Sequence, residues 1–298
     1  MTIVVAYTAQ DSGTSALELA AVLSRSSGEP LTVAVVVTTP HAAGAAEFVD
    51  GDYLGPLREW GESVLEQART ALHADVEASF VVRAASSIPA GLLELAAEVD
   101  ASALVLGSSS KGALGRISFG SVTDRLVHSA PLPVLLAPLG YRPTPGSRIR
   151  RVSVGFGGSA GASHVAAAAA GVAEAVGGVL RAVSFAVRPP KRIYGSVEES
   201  ADDLVVGRWV ARTTAALRAE VGARDAVLAE RLSRSLVVGE GVSWSTAIWD
   251  VEWSDGDLLV VGPSSSAPAA RLFLGSRASK IIRSSPVPVY LVPAPRSS

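Results

Sequence analysis

Short apolar runs alternate with stretches of helical periodicity along the first half of the chain. Apolar runs rich in β-branched residues predict five buried strands, at residues 3–6, 31–37, 80–82, 103–106 and 134–137. Apolar positions spaced three and four apart predict helices at residues 16–23, 90–99 and 121–128, and a further helix after Pro56. Strands that are apolar throughout and alternate with helices are typical of a parallel sheet covered on both faces.

The helix after Pro56 has a clear apolar face. Its members are Leu57, Trp60, Val64, Ala68 and Ala71. Because proline suits the first turn of a helix, where its missing N–H leaves no bond unmade, we expect this helix to begin at Pro56.

The second half of the chain repeats the same order of elements. Strands are predicted at residues 152–154, 180–187, 236–238, 258–261 and 287–292, with helices at 163–176 and 204–217. Between the halves, the stretch PLGYRPTPGSR at 138–148 predicts a short, stiff linker. We therefore predict two α/β domains, residues 1–138 and 150–298, joined by a linker at 139–149.

A glycine–serine signature occurs twice, at a constant offset. The first copy begins Gly107-Ser108-Ser109-Ser110 and continues, nine residues later, with Gly120-Ser121. The second copy begins Gly262-Pro263-Ser264-Ser265 and continues, again nine residues later, with Gly275-Ser276. A repeat on this scale indicates two copies of one fold.

Each signature follows an apolar strand and precedes a predicted helix. A glycine- and serine-rich loop in that place can hold a phosphate on its backbone amides. The alternative is a plain strand-to-helix turn in which Ser121 serves as the N-cap of the next helix. Lys111 and Arg116 lie near the first loop, either as partners of a phosphate or as solvated loop charges.

Composition and charge exclude several other classes of function. The net charge is -2, which gives no general electrostatic reason to bind nucleic acid or an anionic membrane. The chain has no cysteine, which excludes disulfides, thiolate zinc sites and a cysteine nucleophile. Its four histidines do not cluster at metal-ligand spacing, and no G-x-S-x-G elbow is present. No basic, apolar leader begins the chain, so we expect a cytoplasmic protein without membrane insertion.

Three tryptophans in the second half also attract attention. Trp249 and Trp253 stand four positions apart, with Trp244 shortly before them. We expect Trp249 and Trp253 to share one helix face, for core packing or a subunit contact rather than as a ligand platform.

The stretch Val105-Leu106-Gly107 to Phe119-Gly120-Ser121-Val122, closing on Ala130-Pro131-Leu132-Pro133-Val134, resembles the universal stress protein family in its tandem two-domain form. The resemblance covers essentially the whole chain. It implies two flavodoxin-like (adenine nucleotide alpha hydrolase-like) domains, each a five-stranded parallel sheet. It also implies a stress-response regulator that binds ATP or a related adenine nucleotide, together with Mg²⁺, in one branch of the family and no nucleotide in another.

The resemblance further implies dimers formed through the last strand of each domain. Prolines flank both last strands, and proline is tolerated at sheet edges. We therefore expect the two halves to form an intramolecular pseudo-dimer across these edges, and a further homodimer remains open.

The site residues implied by the resemblance lie mainly in the first domain. They are Thr8, Val36, Gly107, Ser110, Lys111, Gly120, Ser121 and Val122, with Gly262, Ser265, Gly275 and Ser276 in the second copy. The family's second signature glycine is serine here in both copies, and its adenine-side aspartate is matched by Thr8 and Gly157.

These departures leave two interpretations. One is a nucleotide-binding regulator that uses the first domain, since Pro263 removes an amide donor from the second loop. The other is a nucleotide-free interaction module with degenerate sites in both domains. Because no general base or metal-holding acid is evident, any ATP hydrolysis would be slow.

Overall fold

The computed structural model describes residues 1–39, 51–157, 161–187, 198–262 and 275–294, without the side chains of residues 51–53 and 198–206. The chain divides into two compact units, Met1–Arg148 and Ile149–Ser298.

The first unit alternates five strands with four helices over its described residues. The strands are β1 (Thr2–Ala6), β2 (Leu31–Thr38), β3 (Ala78–Ala85), β4 (Ala101–Gly107) and β5 (Val134–Ala137). The helices are α1 (Asp11–Ser27), α2 (Gly51–Ala71), α3 (Ile88–Glu98) and α4 (Ser121–Ser129).

The five strands of the first unit form a parallel sheet in the order β3-β2-β1-β4-β5. Its strands are buried over their middle residues: Val4, Val33, Leu104 and Leu135 have no exposed surface. Helices cover the sheet, which is why the strands read as continuous apolar runs. The strand order reverses beside β1, where β2 lies on one side and β4 on the other. In sheets of this kind, ligands bind beyond the carboxyl ends of the strands at that point.

The second unit repeats this arrangement over its described residues. Its strands are β6 (Arg151–Gly155), β7 (Val179–Val187), β8 (Val237–Gly241), β9 (Asp257–Val261) and β10 (Val289–Leu291). Its helices are α5 (Ala162–Ala175), α6 (Glu198–Glu220), α7 (Ala226–Arg234), α8 (Trp244–Trp249) and α9 (Ser276–Ser284). The strands are parallel in the order β8-β7-β6-β9-β10, the same topology as in the first unit. The predicted fold class, two five-stranded parallel α/β domains, is confirmed.

Several local predictions were wrong. Helix α2 begins at Gly51, so Pro56 lies inside the helix rather than at its start. A proline this close to a helix start removes only one internal hydrogen bond, which packing can outweigh. Helix α7 was not predicted, although Asp225 caps it by accepting a hydrogen bond from the Leu228 amide at 2.8 Å.

The prediction that Trp249 and Trp253 share one helix face is wrong. Helix α8 ends at Trp249, so Trp253 is not on the same helix. The Trp253 indole instead donates to the Ile248 carbonyl at 2.7 Å, and its ring lies 5.1 Å from the Arg181 guanidinium. Trp249 is 55% exposed, so it does not take part in core packing within its unit.

A buried ionic cluster ties the strands of the second unit together. Asp257, at the start of β9, is 2% exposed and accepts two hydrogen bonds from Arg151 of β6, at 2.6 and 2.8 Å. Arg181 of β7 lies 3.9 Å from the same carboxylate and donates to Ser153 at 2.8 Å. Burial, and then the charge of Arg151, lower the pKa of Arg181 below its ordinary value. One carboxylate thus faces two guanidinium groups, and the three groups together carry a net positive charge.

No described helix combines the length and the apolar composition needed to cross a bilayer.

We predict that Asp257→Asn destabilises the second unit by about 3–5 kcal/mol, because it removes the carboxylate that the buried Arg181 and the partly buried Arg151 share. Urea unfolding followed by tryptophan fluorescence measures this, since four of the five tryptophans lie in that unit. Glu230→Gln, which removes an exposed partner of Arg234, is the control and should change the unfolding midpoint little. Equal effects of the two substitutions would contradict the cluster's role.

Candidate functional site

A cavity of about 310 Å³ opens in the first unit at the carboxyl ends of β1, β2 and β4. It lies where the strand order reverses, the position that the topology favours for a ligand. Its wall includes seven of the eight site residues predicted in the first domain: Thr8, Val36, Gly107, Ser110, Gly120, Ser121 and Val122. The eighth, Lys111, is exposed beside Ser110 and is not part of this wall, so its contact with a ligand stays a prediction.

Two glycines let helix α1 approach the strand ends closely. A Cβ on Gly107 would overlap the backbone of Ser12, and a Cβ on Gly13 would overlap the backbone of Thr8. Gly107 therefore has a structural reason to be glycine, independent of any phosphate. Its contact with α1 fixes the point at which the signature loop leaves β4.

The signature loop is held by its own hydrogen bonds. The Ser108 side chain is fully buried and accepts a hydrogen bond from the Ser118 amide at 2.7 Å. The Ser108 and Ser109 amides donate to the carbonyls of Ala137 and Ser118, at 3.0 and 2.9 Å. Both amides therefore already donate hydrogen bonds within the protein and are not free to bind a ligand. The Ser110 amide has no partner among the described residues and is available to a ligand.

Serine at position 110 is compatible with the loop. Among the described residues, the only non-glycine with a positive φ is Asp100, so Ser110 needs no left-handed backbone. The loop places its left-handed residue at Gly115, where φ is 71°. The exchange of glycine for serine therefore leaves the backbone path intact and adds a hydroxyl at the cavity.

Helix α4 starts at the cavity without a side-chain cap. Its N-cap is Gly120, in extended conformation, and no side chain accepts from the first turn. The expectation that Ser121 caps the helix is wrong, because Ser121 is the first helical residue. Helix α3 begins differently: the Ser87 hydroxyl accepts from the Ala90 amide at 3.3 Å. The uncapped amides of α4 and its positive dipole end make an anion-binding position.

The opposite wall is apolar and aromatic. Val36 of β2 lies there with Tyr7 and Trp60, neither of which was predicted as a site residue. Burial raises the pKa of the Tyr7 hydroxyl, which keeps it neutral. Trp60 was predicted to lie on the apolar face of α2. In the structure its side chain is 55% exposed and lines the cavity. The sequence carried no signal for this role, because helical periodicity places Trp60 on the apolar face of α2.

No described residue in this wall carries a charge. Thr8 supplies only a hydroxyl, 3.4 Å from that of Ser12. Nor does any group of three His, Asp or Glu in the described parts of the chain come together as a metal site. The polar groups of the described wall are backbone amides, hydroxyl groups and the side-chain amide of Gln10.

The second unit has a larger cavity at the corresponding strand ends, of about 500 Å³. Gly262 plays the role of Gly107, since a Cβ there would overlap the Val165 side chain of α5. Gly275 is the N-cap of α9 without a side-chain cap, and Ser276 is the first residue of that helix. Neither is part of the described wall of the cavity, and Ser265 lies outside the described residues.

The sequence matches the model of the universal stress protein family twice, at residues 1–138 and 148–293. The chain belongs to the universal stress protein family. Two similar universal stress proteins come from Mycobacterium tuberculosis and Mycobacterium bovis. Each is 36% identical over 300 residues, covering 98% of this chain and 100% of the relative.

A solved universal stress protein shares the fold over the whole chain. It comes from Archaeoglobus fulgidus and has a TM-score of 0.59 and 18% identity, over 99% of this chain and 98% of its own. A shorter one from the same organism was solved in complex with dAMP; it is 28% identical over 46% of this chain and 97% of its own, with a TM-score of 0.31.

We predict that Gly107→Ala lowers the stability of the first unit by about 1–3 kcal/mol, because its methyl group must displace the backbone of α1. Gly120→Ala is the matched comparison: its Cβ would lie 3.6 Å from that of Ser109, an ordinary contact. We expect it to change stability by no more than about 0.5 kcal/mol. Urea unfolding monitored by circular dichroism separates the two. A neutral Gly107→Ala would show that α1 and the loop do not constrain each other.

Proposed function

We propose that this universal stress protein is a stress-response regulator that binds an adenine nucleotide, ATP or a related one, in its first domain. The observation that carries the proposal is the uncapped start of α4, which faces the same cavity as the free Ser110 amide. Two sets of unpaired amides converging on one cavity at the carboxyl edge of a parallel sheet suit a phosphate group.

In the proposed complex, the phosphate and the base of the nucleotide contact different parts of the cavity wall. The phosphate lies against Ser110 and the first turn of α4, where hydroxyl groups of Ser110 and Ser121 add donors. The base lies toward Val36 and Trp60, which offer apolar contact and a ring face for stacking. Thr8 provides one hydroxyl on the adenine side in place of the family's carboxylate.

The absence of charged residues from the described wall limits both Mg²⁺ binding and catalysis. With no carboxylate in the described wall, Mg²⁺ would be bound by the nucleotide's own phosphates, by serine hydroxyls and by water. No histidine or carboxylate stands in the wall as a general base. We therefore propose a binding role, with any hydrolysis slow.

The uncharged wall is also the observation that favours the second candidate, a nucleotide-free interaction module. The absent aspartate at Thr8 removes a polar contact that would fix the base, and no cation in the described wall balances a polyphosphate. In that case the duplicated fold would serve as a scaffold for a protein partner. The cytoplasmic location, the pseudo-dimer through the last strands and a further homodimer stay predictions under either candidate.

Calorimetric titration with ATP, and separately with AMP, discriminates between the candidates. The nucleotide-binding function predicts saturable binding of one equivalent, with Kd below about 1 mM. Omitting Mg²⁺ should leave the affinity nearly unchanged, since the described wall supplies no acidic ligand. Absence of saturable binding to either nucleotide would leave only the interaction module.

Substitution of Gly120 tests the phosphate position. We predict that Gly120→Val weakens nucleotide binding about tenfold or more, because the side chain crowds the amides of α4 beside Ser109. The matched control is Gly275→Val, at the same N-cap position of α9 in the second unit. It should leave this binding unchanged. Loss of binding in the control alone would move the nucleotide to the second unit.

Substitution of Trp60 tests the base position. Trp60→Leu should weaken ATP binding about fivefold to tenfold by removing the stacking surface. Trp249 is equally exposed, at 55%, but lies on α8 of the other unit, so Trp249→Leu is the control. Equal affinities for wild type and Trp60→Leu would place the base elsewhere in the cavity.

A further inference from the structure

The cavity of the second unit differs in chemistry from that of the first. Its described wall has four aromatic side chains, Phe156, Phe185, Trp209 and Trp244, whereas that of the first cavity has two, Tyr7 and Trp60. Phe156 and Phe185, at the ends of β6 and β7, are 5% and 6% exposed and form a rigid floor. A volume of about 500 Å³ is in the range that small-molecule sites occupy.

The two tryptophans at the sides of this cavity are held in place. The Trp209 indole of α6 donates to the Ser184 hydroxyl at 3.4 Å, and Ser184 is itself buried. Trp244 is the first residue of α8, whose start is closed by a capping box between Ser243 and Thr246. Positioned rings lose little freedom when a planar ligand stacks on them.

Two arginines supply the charge that the first cavity lacks. Arg212 of α6 and Arg277 of α9 both line the cavity, and Arg212 lies 5.5 Å from the centre of the Trp209 ring. Neither guanidinium forms an ion pair with any described carboxylate, and the described wall contains no Asp or Glu. Two cations without a described carboxylate partner, beside aromatic rings in one cavity, favour a ligand that is both aromatic and anionic.

We propose that the second unit binds a small planar aromatic carboxylate. Its ring lies among Trp209, Trp244 and Phe185, and its carboxylate pairs with Arg277 and Arg212. The planar fork of a guanidinium matches the two oxygens of a carboxylate. The N-cap glycine of α9 and the serine after it are not in the described wall, so guanidinium groups rather than helix amides meet the anion. This site is separate from the proposed nucleotide site and goes beyond it.

The test is calorimetric titration of the full chain with 2-naphthoate and with its neutral isostere 2-naphthamide, in the presence of saturating AMP. We expect one equivalent of naphthoate to bind with Kd below about 1 mM, and the amide to bind about tenfold more weakly or worse. AMP should not displace naphthoate. Equal binding of acid and amide, no binding of either, or competition by AMP overturns the proposal, the last by making this a second nucleotide site.

Substitutions of the cavity arginines test where the carboxylate of naphthoate binds. Arg277→Gln should weaken naphthoate binding about tenfold or more. Lys280→Gln, an exposed cation on the same helix that does not line the cavity, is the matched control and should have no effect. Unchanged binding in Arg277→Gln, or equal losses in both variants, contradicts the assignment. Because Arg277 is exposed, the fold should survive, and Arg212→Gln provides a second, independent variant.

The two proposals fail independently. Gly120→Val in the first unit should leave naphthoate binding unchanged, and Arg277→Gln should leave nucleotide binding unchanged. Naphthoate binding lost in Gly120→Val would place the aromatic anion in the first cavity and overturn the proposed site.

Discussion

The close approach of a helix start to the strand ends is the constraint on which the site of each unit depends. In the first unit, α1 can reach the ends of β1 and β4 only because Gly13 and Gly107 have no side chain to obstruct it. In the second unit, a Cβ on Gly262 would meet the Val165 side chain of α5 rather than the helix backbone. This contact sets where the signature loop leaves the sheet, and hence where the next helix begins. Interiors are packed too tightly for such a contact to shift gradually.

Some amides of the signature loop form hydrogen bonds within the protein, and others are free to bind a ligand. Ser108 and Ser109 close the turn onto Ala137 and Ser118, which leaves the Ser110 amide and the first turn of α4 facing the cavity. The family signature thus combines two functions in one stretch of sequence. Part of it builds the turn, and only the remainder can meet a ligand. The second unit keeps the structural part, while its cavity wall is aromatic and cationic instead of neutral.

The pattern of apolar residues predicted the fold well. A parallel sheet is buried on both faces, so each of its strands appears in the sequence as a continuous apolar run. The repeated spacing and the family resemblance together predicted seven of the residues that line the first cavity. What failed depended on side-chain direction and on exact helix ends. Trp60 fits an apolar helix face yet points to the cavity, and Ser121 looks like a cap although Gly120 occupies that position. Arg212 and Arg277 are 65 positions apart in sequence, so only the folded chain shows that they line one cavity.

The central claim is that the free amides at Ser110 and at the start of α4 bind the phosphate of a nucleotide. Amide chemical shifts of the labelled protein, recorded with and without ATP, test this most directly. We predict that the amides of Ser110, Ser121, Val122 and Thr123 shift strongly, while those of Ser108 and Ser109, already bonded within the fold, shift much less. Saturable shifts confined to the second unit, or no shifts at these four amides, would contradict it.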